Sequence, residues 1–294
     1  MEMYNLVIRW ARVRRIKVPN SVVTVIFIIV FSFLSSYKLM AQGNLQVTPT
    51  RLIFDGSQKF INVNLVNIGK DSADYTISFI QYRMSDESSV EEITTPDPGQ
   101  RFADKYIRYF PRSVKLGPGE FQVIKLQLIN SEQLESGEYR SHLYLRALPE
   151  EKILGNEEKK DTTAALSIKI IPIFGISIPV IIRVGESNTV LNITDLKLEK
   201  TADGHNRLYL TIHRTGNMSS IGDISVTYVA LNGKETKLGV AEGMVIYTPN
   251  LLRRFTIDLE KNSSVVINKG TIHVTYTMKN GNNTVKLAEA DLLL

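Results

Sequence analysis

The 294-residue chain has no cysteine. That excludes a disulfide framework, a thiol nucleophile, a thiolate metal site and a lipid attached through cysteine after an export signal. Tryptophan occurs once, at Trp10, so an aromatic ligand platform is missing. The four histidines, His142, His205, His213 and His273, are scattered and stand at no metal-ligand spacing with one another or with carboxylates. A Gly-x-Ser-x-Gly elbow and a phosphate-binding glycine loop are both lacking. The chain therefore reads as a non-enzyme that needs no cofactor and no metal.

An excess of charge is also lacking once the N-terminus is set apart. Arg9 to Lys17 is basic, and Val22 to Leu34 is an apolar run broken only by Thr24 and Ser32. The run is shorter than the roughly 20 residues of a spanning helix, and Leu39-Met40-Ala41 offers a cleavage site, so residues 1–41 read as a secretory signal peptide, the alternative being an uncleaved membrane anchor. They take six of the 35 basic residues and one of the 30 acidic ones, leaving 29 of each. The basic balance belongs to the export signal, and nucleic acid is not an expected partner. An exported, thiol-free, neutral chain fits a periplasmic location.

What remains is strand. Apolar residues alternate at Ile61, Val63 and Leu65; Tyr75, Ile77 and Phe79; Leu143 and Leu145; Leu208, Leu210 and Ile212; and Ile272, Val274 and Tyr276. This is the period of half-buried antiparallel strands, and no amphipathic helix is found after residue 42. Asp55-Gly56, Gly117-Pro118-Gly119, Asp203-Gly204, Asn232-Gly233 and Asn280-Gly281 mark the turns. The expectation is an all-β protein of two tandem β-sandwiches, over 42–184 and 185–294, with Gly185-Glu186-Ser187-Asn188 as hinge. Met84 to Asp104 and Pro149 to Thr163 are long for sandwich loops, a length found in functional or disordered segments.

The second long loop leads into Ala164 to Arg183, about 20 residues and several times an ordinary strand. Ile168, Ile170, Phe174, Ile176 and Ile178 fall on one face, and Ile171, Ile173 and Ile181 on the other. Apolar residues on both faces suit a central strand, whereas Pro172 and Pro179 suit an edge. Two coverings satisfy both signals: a partner that adds strands to the edge, or the second sandwich or a dimer mate lying against it.

Four segments together resemble the PapD-like periplasmic pilus chaperones of the chaperone-usher pathway: Thr50-Arg51-Leu52-Ile53-Phe54-Asp55-Gly56, Val114 to Glu120, Gly137-Glu138-Tyr139-Arg140 through Pro149, and the long strand ending at Arg183. The resemblance covers Leu45 to Arg183 and weakens in the second half. It implies two immunoglobulin-like sandwiches in an L shape, and a strand lent to exported β-rich pilin-like subunits through Ile168, Ile170, Phe174, Ile176 and Ile178. It implies that Arg51 anchors the subunit's terminal carboxylate, and that Glu138 and Arg183 belong to an interdomain ion network whose acidic partner in the second sandwich is not located. An outer-membrane usher is a further candidate partner, and a self-capped dimer a candidate form of the empty chain. The lysine that accompanies the arginine in that family falls on Pro179, and Lys169 lies more than about 30 Å up an extended strand. The competing reading keeps the fold for a structural or adhesive envelope protein, with Arg51 paired to an ordinary surface acid.

Overall fold

The computed structural model describes residues 45–149, 173–260, 267–281 and 283–294. The export signal, Ile168, Ile170, Ile171 and nearly all of the second long loop lie outside the described residues. In chain order the first strands are β1 (Leu45–Thr48), β2 (Leu52–Phe54), β3 (Phe60–Asn67), β4 (Ala73–Met84) and β5 (Val90–Ile93). They are followed by β6 (Ile107–Phe110), β7 (Ser113–Leu116), β8 (Phe121–Leu128), β9 (Gly137–Ala147) and β10 (Gly175–Val184). The remaining strands are β11 (Val190–Lys200), β12 (Asn206–Thr215), β13 (Ser220–Ala230), β14 (Glu235–Ile246), β15 (Leu252–Asp258), β16 (Gly270–Asn280) and β17 (Asn283–Leu293).

The protein is all-β, as the alternation predicts. One sheet runs β1-β3-β8-β6 and faces another of order β2-β10-β9-β4-β5, with β7 also pairing β4. Side chains on a pleated strand alternate, so each buried face becomes a row across neighbouring strands. Phe79, Leu143 and Ile178 form one such row, and Ile77, Leu145 and Ile176 the next. Val63, Leu65, Ile124 and Leu126 of the facing sheet meet these rows to close the first core. The second sandwich packs β11-β12-β15 on β14-β13-β16-β17, with Leu208, Leu210, Ile212, Val226, Val274 and Tyr276 at its centre. Turn chemistry supplies the corners: Gly204 and Gly233 have φ of 83° and 79°, a region open to glycine at little cost.

The loop from Met84 is a clasp between the sandwiches. After Met84 the chain reverses into β5, and residues 84–88 lie against β15 and the loop before it. Asn250 Nδ2 donates to the Met84 carbonyl at 2.9 Å, Arg253 Nε to Ser88 Oγ at 2.7 Å, and Arg254 Nη1 to Glu87 Oε1 at 2.8 Å. The Arg254 amide also donates to the Asp86 carbonyl at 2.8 Å. Met84 to Asp104, expected as one long loop, holds the strand β5, and its first five residues serve contact with the second sandwich.

Candidate functional site

Strand β10 is two half-strands with different neighbours. Its whole length pairs antiparallel with β9, from Gly175 opposite Arg146 to Val184 opposite Gly137. On its other side β2 pairs in parallel with Val180, Ile181 and Ile182 alone. Among the described residues, Gly175 to Pro179 have a strand on one side only. Pro179 stands immediately before the β2 ladder, in the half where a missing N–H is tolerated. At the outer end Gly175 crosses the Tyr144 ring so closely that an added Cβ would lie 2.4 Å from it, which explains the glycine there.

The apolar residues on both faces of this strand have separate destinations. Ile178, Val180 and Ile182 are sealed into the first core, and Ile176 packs partly against it. Ile178, expected on the lent face, is 3% exposed in its cross-strand row and is occupied by the protein's own core. Phe174, two residues before Ile176, is 44% exposed, and Ile173 is 43% exposed. On the opposite face Ile181 is buried in a small cluster with Val245 and Tyr247, flanked by Ile53, Met84 and Ile221. The second sandwich therefore covers the inner half of that face.

Arg51 directly precedes β2, and extending the parallel register places it beside Pro179. Its Nε is buried without a hydrogen-bond partner, and among the described residues no carboxylate lies within salt-bridge distance of it. It lines a cavity of about 670 Å³ with Ile53, Arg183, Ser219, Glu242 and Lys279. Burial pushes the nearby Tyr247 phenol up, opposed by the positive charges of Arg140 and Arg51.

Glu138 and Arg183 are brought together at the same place. The Glu138 carboxylate is fully buried and Arg183 Nε donates to its Oε2 at 3.2 Å. Among the described residues, no acid of the second sandwich pairs with Arg183. That sandwich offers hydrogen-bond donors: the Ser219 amide and hydroxyl reach Glu138 Oε2 at 3.0 and 2.6 Å, and the Thr248 hydroxyl reaches Oε1 at 3.2 Å. Arg183 Nη2 donates to the Ser219 carbonyl at 2.9 Å. A buried carboxylate satisfied by several donors satisfies the demand that a lone buried charge would leave open.

Arg140 is the residue that sequence reasoning did not assign. Only 3% exposed, it lays its guanidinium 4.1 Å over the Tyr247 ring and donates to the carbonyls of Tyr82 and Thr248 at 3.3 and 3.4 Å. It stands opposite Ile181 in the β9–β10 ladder, on the face that the second sandwich covers, a contact the sequence alone does not show.

His142, opposite Pro179, stacks edge-on against Tyr82 at 4.9 Å and Tyr247 at 6.3 Å. Burial, with Arg140 nearby, pushes its imidazole down to about 3. The unfolded chain then binds the proton that the folded chain refuses, so this histidine subtracts stability as pH falls from about 6.5 towards 3, at up to about 1.4 kcal/mol per pH unit. His142→Phe is expected to flatten the pH dependence of the urea midpoint in that window. An unchanged slope would show that the imidazole charges within the fold.

No protein-family model matches the chain, and no curated protein sequence matches it. Solved structures do match. A chain of the CsuC-CsuE chaperone-tip adhesion subunit pre-assembly complex from the chaperone-usher Csu pili of Acinetobacter baumannii is 16% identical, with a TM-score of 0.45 over 84% of this chain and 99% of that one. The YadV chaperone is 13% identical with a TM-score of 0.44, covering 86% of this chain and 100% of that one. The E. coli chaperone DraB is 11% identical with a TM-score of 0.42, covering 84% of this chain and 96% of that one. Similarity at this level carries no functional conclusion.

Proposed function

We propose that this protein is an exported, non-enzymatic chaperone of the periplasm that binds β-rich pilin-like subunits by lending them the outer half of β10. The observation that carries the reading is the one-sided half-strand Gly175–Pro179, which ends in exposed Ile173 and Phe174 and begins beside an arginine with an unpartnered Nε. A partner strand added at that edge gains main-chain hydrogen bonds, while Phe174 fills its groove. Arg51 holds the partner's terminal carboxylate, for which its forked donors are suited. The driving force is the partner's own burial, so no nucleotide is required.

Pro179 leaves the anchor with one cation, and the test falls on Arg51. Arg51→Ala is expected to weaken binding of a subunit's C-terminal peptide about 10- to 100-fold, the loss of a charge-assisted hydrogen bond of roughly 1.5 to 3 kcal/mol. Wild type is expected to lose as much when the peptide ends in an amide. Fluorescence anisotropy of labelled peptides measures both. Equal affinity for acid and amide would favour the second reading, a structural envelope protein in which Arg51 has no client.

A further inference from the structure

The cavity beside Arg51 carries a charge pattern that a carboxylate anchor alone does not explain. Of its lining cations, Arg183 is neutralised by Glu138 at 3.2 Å and Lys279 by Asp223 at 3.6 Å. That leaves Arg51 without an acid and Glu242 without a base among the described residues. The uncompensated lining charges are one positive and one negative. Between them the walls are apolar at Ile53, Ile221, Met278 and Leu287.

Glu242 is placed there by a deliberate irregularity. The β13–β14 ladder steps from Gly222 opposite Met244 to Ile224 opposite Ala241, so Glu242 and Gly243 together oppose Asp223. Gly243 takes φ of 65°, and its amide donates to Asp223 Oδ1 at 2.9 Å. A β-bulge of this kind turns a side chain out of the regular pleat, and here Glu242 lines the cavity while remaining open to solvent.

We propose that the cavity reads a basic side chain as well as a chain end: Glu242 pairs with a lysine or arginine within the last few residues of the polypeptide whose terminal carboxylate Arg51 holds. This rests on the strand-lending reading above and assigns to it a preference among partners. A cavity with one free charge of each sign favours a ligand bearing both and repels one with an acid at the same place.

The experiment uses the mature chain, residues 42–294, and labelled octapeptides with alternating apolar residues, measured by anisotropy at low and high salt. The peptides carry lysine, alanine or glutamate at each of the last four positions, ending as free acid or amide. At one position lysine is expected to bind about fivefold more tightly than alanine, and glutamate more weakly still, with the difference shrinking as salt screens it. Glu242→Gln should bring lysine and alanine peptides level while keeping the preference for acid over amide. Lysine and alanine binding alike in wild type, or a lysine preference that survives Glu242→Gln, overturns the inference and leaves the Arg51 anchor standing. Acid and amide binding alike, or no peptide binding, removes the anchor and this inference with it. Free lysine competing as well as the peptide would overturn the polypeptide assignment in favour of a small zwitterion.

Discussion

Phe174→Asp is expected to abolish capture of β-rich partners without moving the urea midpoint, whereas Ile178→Asp, on the same face, is expected to unfold the first sandwich. Phe174 is 44% exposed and its ring makes little of the core, so the folded state loses little when it becomes a carboxylate. In a partner's groove the same ring would contribute about 1.5 to 3 kcal/mol by burial, and a buried aspartate would add its desolvation cost. A drop of at least about 100-fold in affinity follows. Ile178 is 3% exposed, in a row with Leu143 and Phe79, and an unpaired carboxylate there is expected to cost roughly 4 kcal/mol or more. Pull-down of the tagged protein from its own envelope fraction, beside urea melts of each variant, separates the two effects. A Phe174→Asp protein that still carries partners at wild-type levels would rule out strand lending at this edge.

Glu138→Ala is the second large effect, and it acts between the sandwiches. Its carboxylate receives Arg183, the amide and hydroxyl of Ser219 and the hydroxyl of Thr248, all within a buried seam. Removing one member of a buried charge pair leaves the other uncompensated, so a loss of about 3 to 5 kcal/mol is expected. Glu138→Gln keeps the volume and one acceptor oxygen, and its loss should be smaller. If the seam holds the sandwiches in one arrangement, small-angle scattering of the alanine variant should show a larger and less defined particle. If the variant melts within about 1 kcal/mol of wild type and scatters identically, the clasp at Met84 to Ser88 holds the arrangement by itself.

These two predictions mark where the sequence was legible. Period-two alternation placed Val63, Leu145, Ile212 and Val274 on buried faces, because a half-buried strand leaves no other pattern. It put Ile178 on one face with Phe174, but that face was expected to be lent to a partner, and alternation could not say where along β10 the protein's own core stops. That limit is set by the ends of β9 and β2, which are neighbours in space and distant in sequence. Arg51, Glu138 and Arg183 were found through resemblance to a family. Ser219 and Thr248 were invisible, since a hydroxyl in a loop looks the same whether it meets water or a buried carboxylate. Arg140 resembled a solvated strand residue until the second sandwich covered it, and only the fold reveals that contact. The loop after Met84 was legible as long, and its arginine partners at 253 and 254 were not.

The pairing of β10 with β9 over all ten of its residues, together with the Arg183 contact at its far end, has a metric consequence. A strand fastened in this way cannot creep along its neighbour, because a one-residue step would exchange its two faces. Phe174 and Pro179 are then graduations on a rigid ruler, five residues or about 17 Å apart. Any chain engaging both marks must present its terminus and the pocket for the ring at that spacing. A single residue inserted between them would lengthen the measure and turn Phe174 to the other face.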